Sequence, residues 1–138
     1  MKLTRRHTLM MAFGSVVATM LPMRAFAALD DEVAAFTGGA EMGSEGITLI
    51  APEIAENGNT VPIEVSAPGA EAIIVFAAGN PTPAVATFNF GPLAAAQSAA
   101  TRIRLAGTQD VVAIARMPDG SFVEARQEVK VTIGGCGG

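Results

Sequence analysis

Four glycines surround the only cysteine of the chain, in the run Gly134-Gly135-Cys136-Gly137-Gly138. A thiol in such a setting does one kind of chemistry well. It forms and exchanges covalent bonds to other sulfur atoms, at a rate set by its thiolate fraction and its accessibility. Nothing local promotes the thiolate. The nearest cation in sequence is Lys130, and the carboxylate of Gly138 disfavours a second negative charge beside it. Glycine has wide backbone freedom, and three extended residues span roughly 10 Å. Gly134, Gly135, Gly137 and Gly138 are therefore expected to form a flexible arm. On it, Cys136 is carried to chemistry that resides elsewhere.

Four uses of such an arm can be weighed. It can hold a substrate covalently on the thiol. It can form an intermolecular disulfide, as an odd cysteine in an exported protein suggests. Prenylation is disfavoured, because a C-a-a-X box needs three residues after the cysteine and only Gly137 and Gly138 follow it. Adenylation of a terminal Gly-Gly carboxylate needs ATP in the cytosol, which conflicts with export.

Export is read from the other end. Arg5 and Arg6 are adjacent, and an apolar stretch from Leu9 to Leu21 follows. That stretch is too short for the roughly 20 residues a bilayer span requires. Ala25-Phe26-Ala27 supplies the small-x-small pattern of a cleavage site. Residues 1–27 are expected to be a cleaved signal peptide of the twin-arginine type, with Arg5, Arg6, Ala25 and Ala27 as its marks. Gly14, Ser15 and Thr19 moderate the apolar stretch and favour this type over an ordinary secretory signal. The expected location is the periplasm, reached in the folded state.

Processing sharpens the composition. Lys2, Arg5, Arg6 and Arg24 leave with the signal, so five of the nine basic residues face all 13 acidic ones, a net charge near −8 in place of −4. Nucleic acid, which needs a basic footprint, is excluded as a partner. His7, the single histidine, also leaves, and the chain has no Trp or Tyr. What remains offers no His–Cys metal site and no Cys–His or Ser–His pair. No metal, no cofactor, no membrane segment and no catalytic residue of its own are expected.

The elements that must position the arm follow from pattern. Asp30, Asp31 and Glu32 suit the first turn of a short helix that has Val33 and Phe36 on one face and ends at Gly38-Gly39. After it come short strands and turn signals: 47–52, 60–68, 71–78, 84–90, 101–107, 110–117 and 121–133. Asn57-Gly58 marks a turn. Pro62 suggests an edge strand or a bulge. Residues 71–78 are continuously apolar and suit a buried central strand. Residues 91–100 read as a connection. The last stretch reads as one long strand, or two with a bulge near Gln127. Seven or eight strands with no sustained helical period predict an all-β fold. It is an antiparallel, immunoglobulin-like β-sandwich over residues 28–133, with the arm at 134–138.

Three segments together carry a resemblance to a known family. These are the twin-arginine leader, the stretch APEIAENGNTVPIEV (51–65) with its A-E-N-G-x-x-V-P block, and the terminal GGCGG (134–138). The chain resembles the SoxY family, the sulfur-carrying subunit of the periplasmic SoxYZ complex of thiosulfate oxidation. The resemblance implies that Cys136 holds sulfur intermediates covalently and that the protein is a carrier, not an enzyme. It implies a heterodimer with SoxZ and transient visits to three enzymes. The cytochrome SoxAX would attach thiosulfate as an S-thiosulfonate. The dimanganese hydrolase SoxB would release sulfate. The sulfane dehydrogenase SoxCD would oxidise the sulfur left behind. Val61, Ile63 and Val111 are apolar strand positions that either line the SoxZ interface or pack in the core.

Overall fold

A computed structural model describes residues 24–134. Helix α1 (Arg24–Thr37) is followed by nine strands. They are β1 (Met42–Gly43), β2 (Thr48–Ile50), β3 (Ile54–Ala55), β4 (Val61–Ser66) and β5 (Ala72–Ala77), then β6 (Ala84–Asn89), β7 (Ser98–Ile103), β8 (Gln109–Arg116) and β9 (Phe122–Val131). They form a six-stranded sheet in the order β1-β9-β8-β5-β6, with β3 also on β9, and a three-stranded sheet in the order β2-β4-β7. The fold is the expected all-β sandwich with one short N-terminal helix.

The inner strands β5 and β8 of the large sheet are buried on both faces, which accounts for their unbroken apolar runs. Ile73, Val75 and Ala77 of β5, with Val111, Ala113 and Ala115 of β8, face the small sheet. There they meet Val61, Ile63 and Val65 of β4, together with Ile103 and Leu105. The alternate residues Phe76, Val112 and Ile114 face the other way, against Leu29 of α1, with Val33 and Phe36 packed beside them. Phe36 meets Phe122 edge-on at 5.6 Å between ring centres. Each fully buried side chain of this size contributes about 1.5–3 kcal/mol, so the helix side is a second core in its own right. Val61, Ile63 and Val111 are all buried between the sheets. They are core residues and not a surface for a partner.

Helix α1 ends where glycine permits a left-handed turn: Gly38 has φ 66° and Gly39 φ 80°. Gly38 N–H donates to the Ala34 carbonyl at 2.7 Å, and the Thr37 hydroxyl donates to the Val33 carbonyl. Its start differs from the expectation. The helix begins at Arg24 and runs through the Ala25–Ala27 segment, so Asp30, Asp31 and Glu32 do not lie in its first turn. They remain on the helix because the backbone bonds of the preceding turn are made by residues assigned to the signal.

Other local readings are corrected. Strand β4 is the middle strand of its sheet, not an edge. Pro62 is tolerated because the β2 ladder stops at Ile50 opposite Glu64, leaving Pro62 paired only with Arg102 of β7. Strand β7 starts at Ser98 and ends at Ile103, earlier than the expected 101–107, because its six residues match β4 from Val61 to Ser66. Strand β9 is single and in continuous register with β8. The irregularity lies instead in the β5–β6 pairing, where the register shifts between Val75 and Phe76 and Val85 of β6 is the extra residue. Two short strands, β1 and β3, pair parallel with opposite ends of β9. They are too short to leave a periodic signal.

In the β8–β9 turn the titration of Asp119 is displaced. Asp119 accepts from the Ser121 hydroxyl at 2.6 Å and from the Ser121 N–H at 2.9 Å. The hydroxyl contributes most, and together they lower its pKa below the ordinary 3.8. The charged form is the bonded one, so the hold on the turn is complete above the ordinary carboxylate range. It is lost as pH falls through the depressed value. In Ser121→Ala the midpoint of Asp119 followed by NMR should rise part of the way back toward 3.8. An unmoved midpoint would assign the shift to some other donor.

Candidate functional site

Strand β9 delivers the chain to the arm, and the described residues end at Gly134, which is exposed. Gly135, Cys136, Gly137 and Gly138, like Arg5 and Arg6, lie outside the described residues. Ala25 and Ala27 fall within α1.

The root of the arm is held on several sides. Val131 N–H donates to the Thr108 hydroxyl at 2.9 Å. Thr132 N–H donates to the Ala55 carbonyl at 3.0 Å, and the Thr132 hydroxyl to the Glu56 carbonyl at 3.0 Å. The Ile133 carbonyl accepts from Gly58 N–H at 2.8 Å, and the Gly58 carbonyl in turn accepts from Leu105 N–H at 2.8 Å. The A-E-N-G block thus lies between the last residues of the body and the β7–β8 connection. Asn57 shapes it: its Oδ1 accepts from Asn59 N–H at 3.0 Å, closing a side-chain-to-backbone turn.

Gly134 stands where a side chain would not fit. A Cβ placed on it would stand 2.6 Å from the Ala106 carbonyl oxygen. No L side chain fits there unless backbone moves. Space is therefore a second reason for glycine at this position, beside the flexibility expected of it.

Ala106 is in turn held by a buried polar network. Asn80, 1% exposed, donates from Nδ2 to the Arg104 carbonyl at 2.8 Å. Its Oδ1 accepts from Ala106 N–H and from Gln109 Nε2, each at 2.9 Å. Gln109 Nε2 also reaches the Gly107 carbonyl at 3.0 Å, and its Oε1 accepts from Gly79 N–H at 2.8 Å. No buried side-chain nitrogen or oxygen among the described residues lacks a partner. Asn80, Ala106 and Gln109 were not visible as site residues in the sequence. The available signal was weak: one amide just after the apolar run of β5, and another just before that of β8.

Among the described residues no group of three or more His, Cys, Asp or Glu is placed to hold a metal ion. No helix among them is long and apolar enough to cross a membrane. The side chains at the arm root are amides, hydroxyls and glycines.

The described residues form a helix-backed β-sandwich whose last strand leads to a braced root at Ile133 and Gly134. The family model described as sulfur oxidation protein SoxY matches residues 33–136. The sulfur carrier protein SoxY from Chlorobium limicola f thiosulfatophilum is 39% identical, with a TM-score of 0.67 over 78% of this chain and 98% of that one. The chain belongs to the SoxY family, and a sulfur-carrier role follows at that level. A superoxide reductase (neelaredoxin) from Ignicoccus hospitalis matches at 21% identity and a TM-score of 0.56, over 64% of this chain and 81% of that one. At that identity the likeness shows the fold alone. No curated protein matches the chain significantly in sequence.

Asn80→Ala strips partners from the Arg104 carbonyl, the Ala106 N–H and Gln109 at once. It should cost about 2–4 kcal/mol in denaturant unfolding. A loss under about 0.5 kcal/mol, the size of an ordinary surface change, would mean that the network does not brace the root. The two arm glycines should separate. Gly134→Val should speed hydrogen exchange at Gly58 N–H by displacing Ile133, whereas Gly135→Val should leave that amide as protected as before. Equal effects would place the start of the arm elsewhere.

Proposed function

We propose that the chain is the covalent sulfur carrier of a thiosulfate-oxidising system, exported folded to the periplasm, with Cys136 as the point of attachment. The observation that supports this most directly is the braced root. A body that spends a buried amide network on bracing Ala106, whose carbonyl faces Gly134, brings the chain to the approach of Cys136 at a defined place.

The chemistry requires outside agents. Joining thiosulfate to the Cys136 thiol forms one S–S bond, releases one proton and gives up two electrons. A haem protein such as SoxAX is the acceptor. Water then cleaves the bond between the outer sulfurs: sulfate leaves and a persulfide remains on Cys136. A hydrolase such as SoxB would act there, and SoxCD would oxidise the sulfane sulfur before a second hydrolysis. The thiol, its reach and its bare glycine flanks are what this chain contributes. It is a substrate-bearing subunit and not a catalyst. SoxZ is its expected stable partner. Neither sheet of the sandwich is closed into a barrel, so edges remain that a second subunit covers.

If the leader is removed after Ala27, helix α1 loses its first turn. Asp30, Asp31 and Glu32 then come to the helix start, where their charge is favourable.

Cys136→Ser should keep the unfolding midpoint of the parent chain and abolish thiosulfate-dependent electron flow in the reconstituted system. Intact mass of the parent chain, exposed to thiosulfate and the partner enzymes, should show reductant-sensitive additions on Cys136. Turnover by the serine variant would sink the carrier reading. A parent chain bearing only a disulfide partner at Cys136, with assembly and not turnover lost in the variant, would replace it with a structural role.

A further inference from the structure

The cations of the body are few and unevenly employed. Arg116 pairs with Glu71 at 3.4 Å, and Arg126 with Asp110 at 3.3 Å. No ion pair among the described residues holds Arg102 or Arg104. These two alternate with buried Ile103, so both stand on the outward face at the end of β7. They line a cavity of about 370 Å³ with Thr82, Ala84, Val85 and Ile103. No carboxylate lines it. Two carboxylates lie at its borders: Glu32 Oε2 accepts from the N–H of the lining residue Ala84 at 3.0 Å, and Glu64 lines an adjoining cavity together with Arg102. Arg102 makes one long contact, from Nη1 to the Thr60 hydroxyl at 3.4 Å.

The position of this pair is tied to the arm. Asn80 binds the Arg104 carbonyl with one end of its amide and the Ala106 N–H with the other. The Ala106 carbonyl is the group that Gly134 abuts. Arginine and arm root are thus fixed to one short stretch of backbone by one side chain. Cys136 is two residues beyond Gly134, a reach of up to about 7 Å, and the long arginine side chains extend over a similar range.

We propose that Arg102 and Arg104, with Thr82, form a receiving site for a sulfonate-type oxyanion borne on Cys136 of the same chain. The guanidinium fork suits the oxygens of such a group. The free thiol carries no oxyanion and gains nothing from the site, so the loaded arm is held against the body and the empty arm is not. The identity of the anion rests on the carrier reading above. The site itself does not, and it can be tested without thiosulfate or partner enzymes.

Cys136 of the full chain is alkylated in parallel with iodoacetate and iodoacetamide. Both reagents need the same thiolate, so the ratio of their rates reads the local field for an incoming anion and not the thiol pKa. At low salt the anionic-to-neutral ratio should be about three- to tenfold higher in the parent than in the doubly substituted Arg102→Gln, Arg104→Gln chain, and high salt should erase the difference. Arg104→Lys should retain most of the effect. An unchanged ratio in the double variant, with its unfolding midpoint intact, overturns the site. In a second measurement Cys136 is converted to its S-sulfonate with sulfite and tetrathionate, and the Arg104 Nε–H is followed by NMR. It should shift on conversion, and should stay in place when equimolar free sulfate is added to Cys136→Ser. An equal shift with free sulfate overturns the arm as the source of the anion. Turnover by the Cys136→Ser chain would sink the carrier reading and leave both readouts untouched, so the two readings fail separately.

Discussion

The amide of Asn80 occupies the point where the two sheets meet the arm. It follows β5 of the large sheet, and it binds the backbone that leaves β7 of the small one on its way to β8. An amide that is 1% exposed and shares its oxygen with Ala106 and Gln109 is costly to disturb, since each partner left alone is a buried unsatisfied group. The crossover between sheets is thereby fixed to within a hydrogen-bond length. The Ala106 carbonyl inherits that precision, and it leaves no room for a side chain at Gly134. Order at the root is transmitted through three contacts, none of which involves an ionised group.

The architecture on either side of this point was readable to different depths. The runs of β5 and β8 are apolar at every position from Ile73 to Ala77 and from Val111 to Ala115, and only strands covered on both faces have that pattern. The reading of 71–78 as central was therefore sound. What covers the second face was less visible, because Leu29, Val33 and Phe36 are a modest stripe on a short helix. Pro62 misled for an instructive reason. A proline excludes a ladder bond only at its own position, and β2 is short enough to end before reaching it. Strands of two residues, such as β1 and β3, have no period at all. They form because the free edge of β9 accepts them.

The site divides in the same way. Cys136 declares itself by being the only thiol and by its glycine flanks. The root does not, since its parts are Asn57-Gly58 in a turn, Asn80 in what reads as a chain break, and Gln109 at a strand start. Each is an ordinary choice where it stands. Their function exists only when residues from three distant segments are brought to Ile133 and Gly134. Gly134 carries the further lesson that a glycine in a glycine-rich run can be there for space. Its neighbour Ala106 demands the absence of a side chain, a demand that composition attributes to flexibility.

A fixed root and a short arm together set the terms on which Cys136 can be used. If Gly134 moved with the arm, the thiol would sample a wide shell, and its concentration at any one place would be low. Covalent reach alone keeps Cys136 within about two residues' length of Gly134. The effective concentration at a site inside that radius is correspondingly high. Any enzyme that acts on the thiol must then approach the body closely at the root, where Ile133 is 69% exposed. The same confinement gives weak surface charges such as Arg102 and Arg104 a hearing. Two screened guanidinium groups would not hold a freely diffusing oxyanion at physiological salt. They need only bias one that is already tethered within a Debye length of about 8 Å.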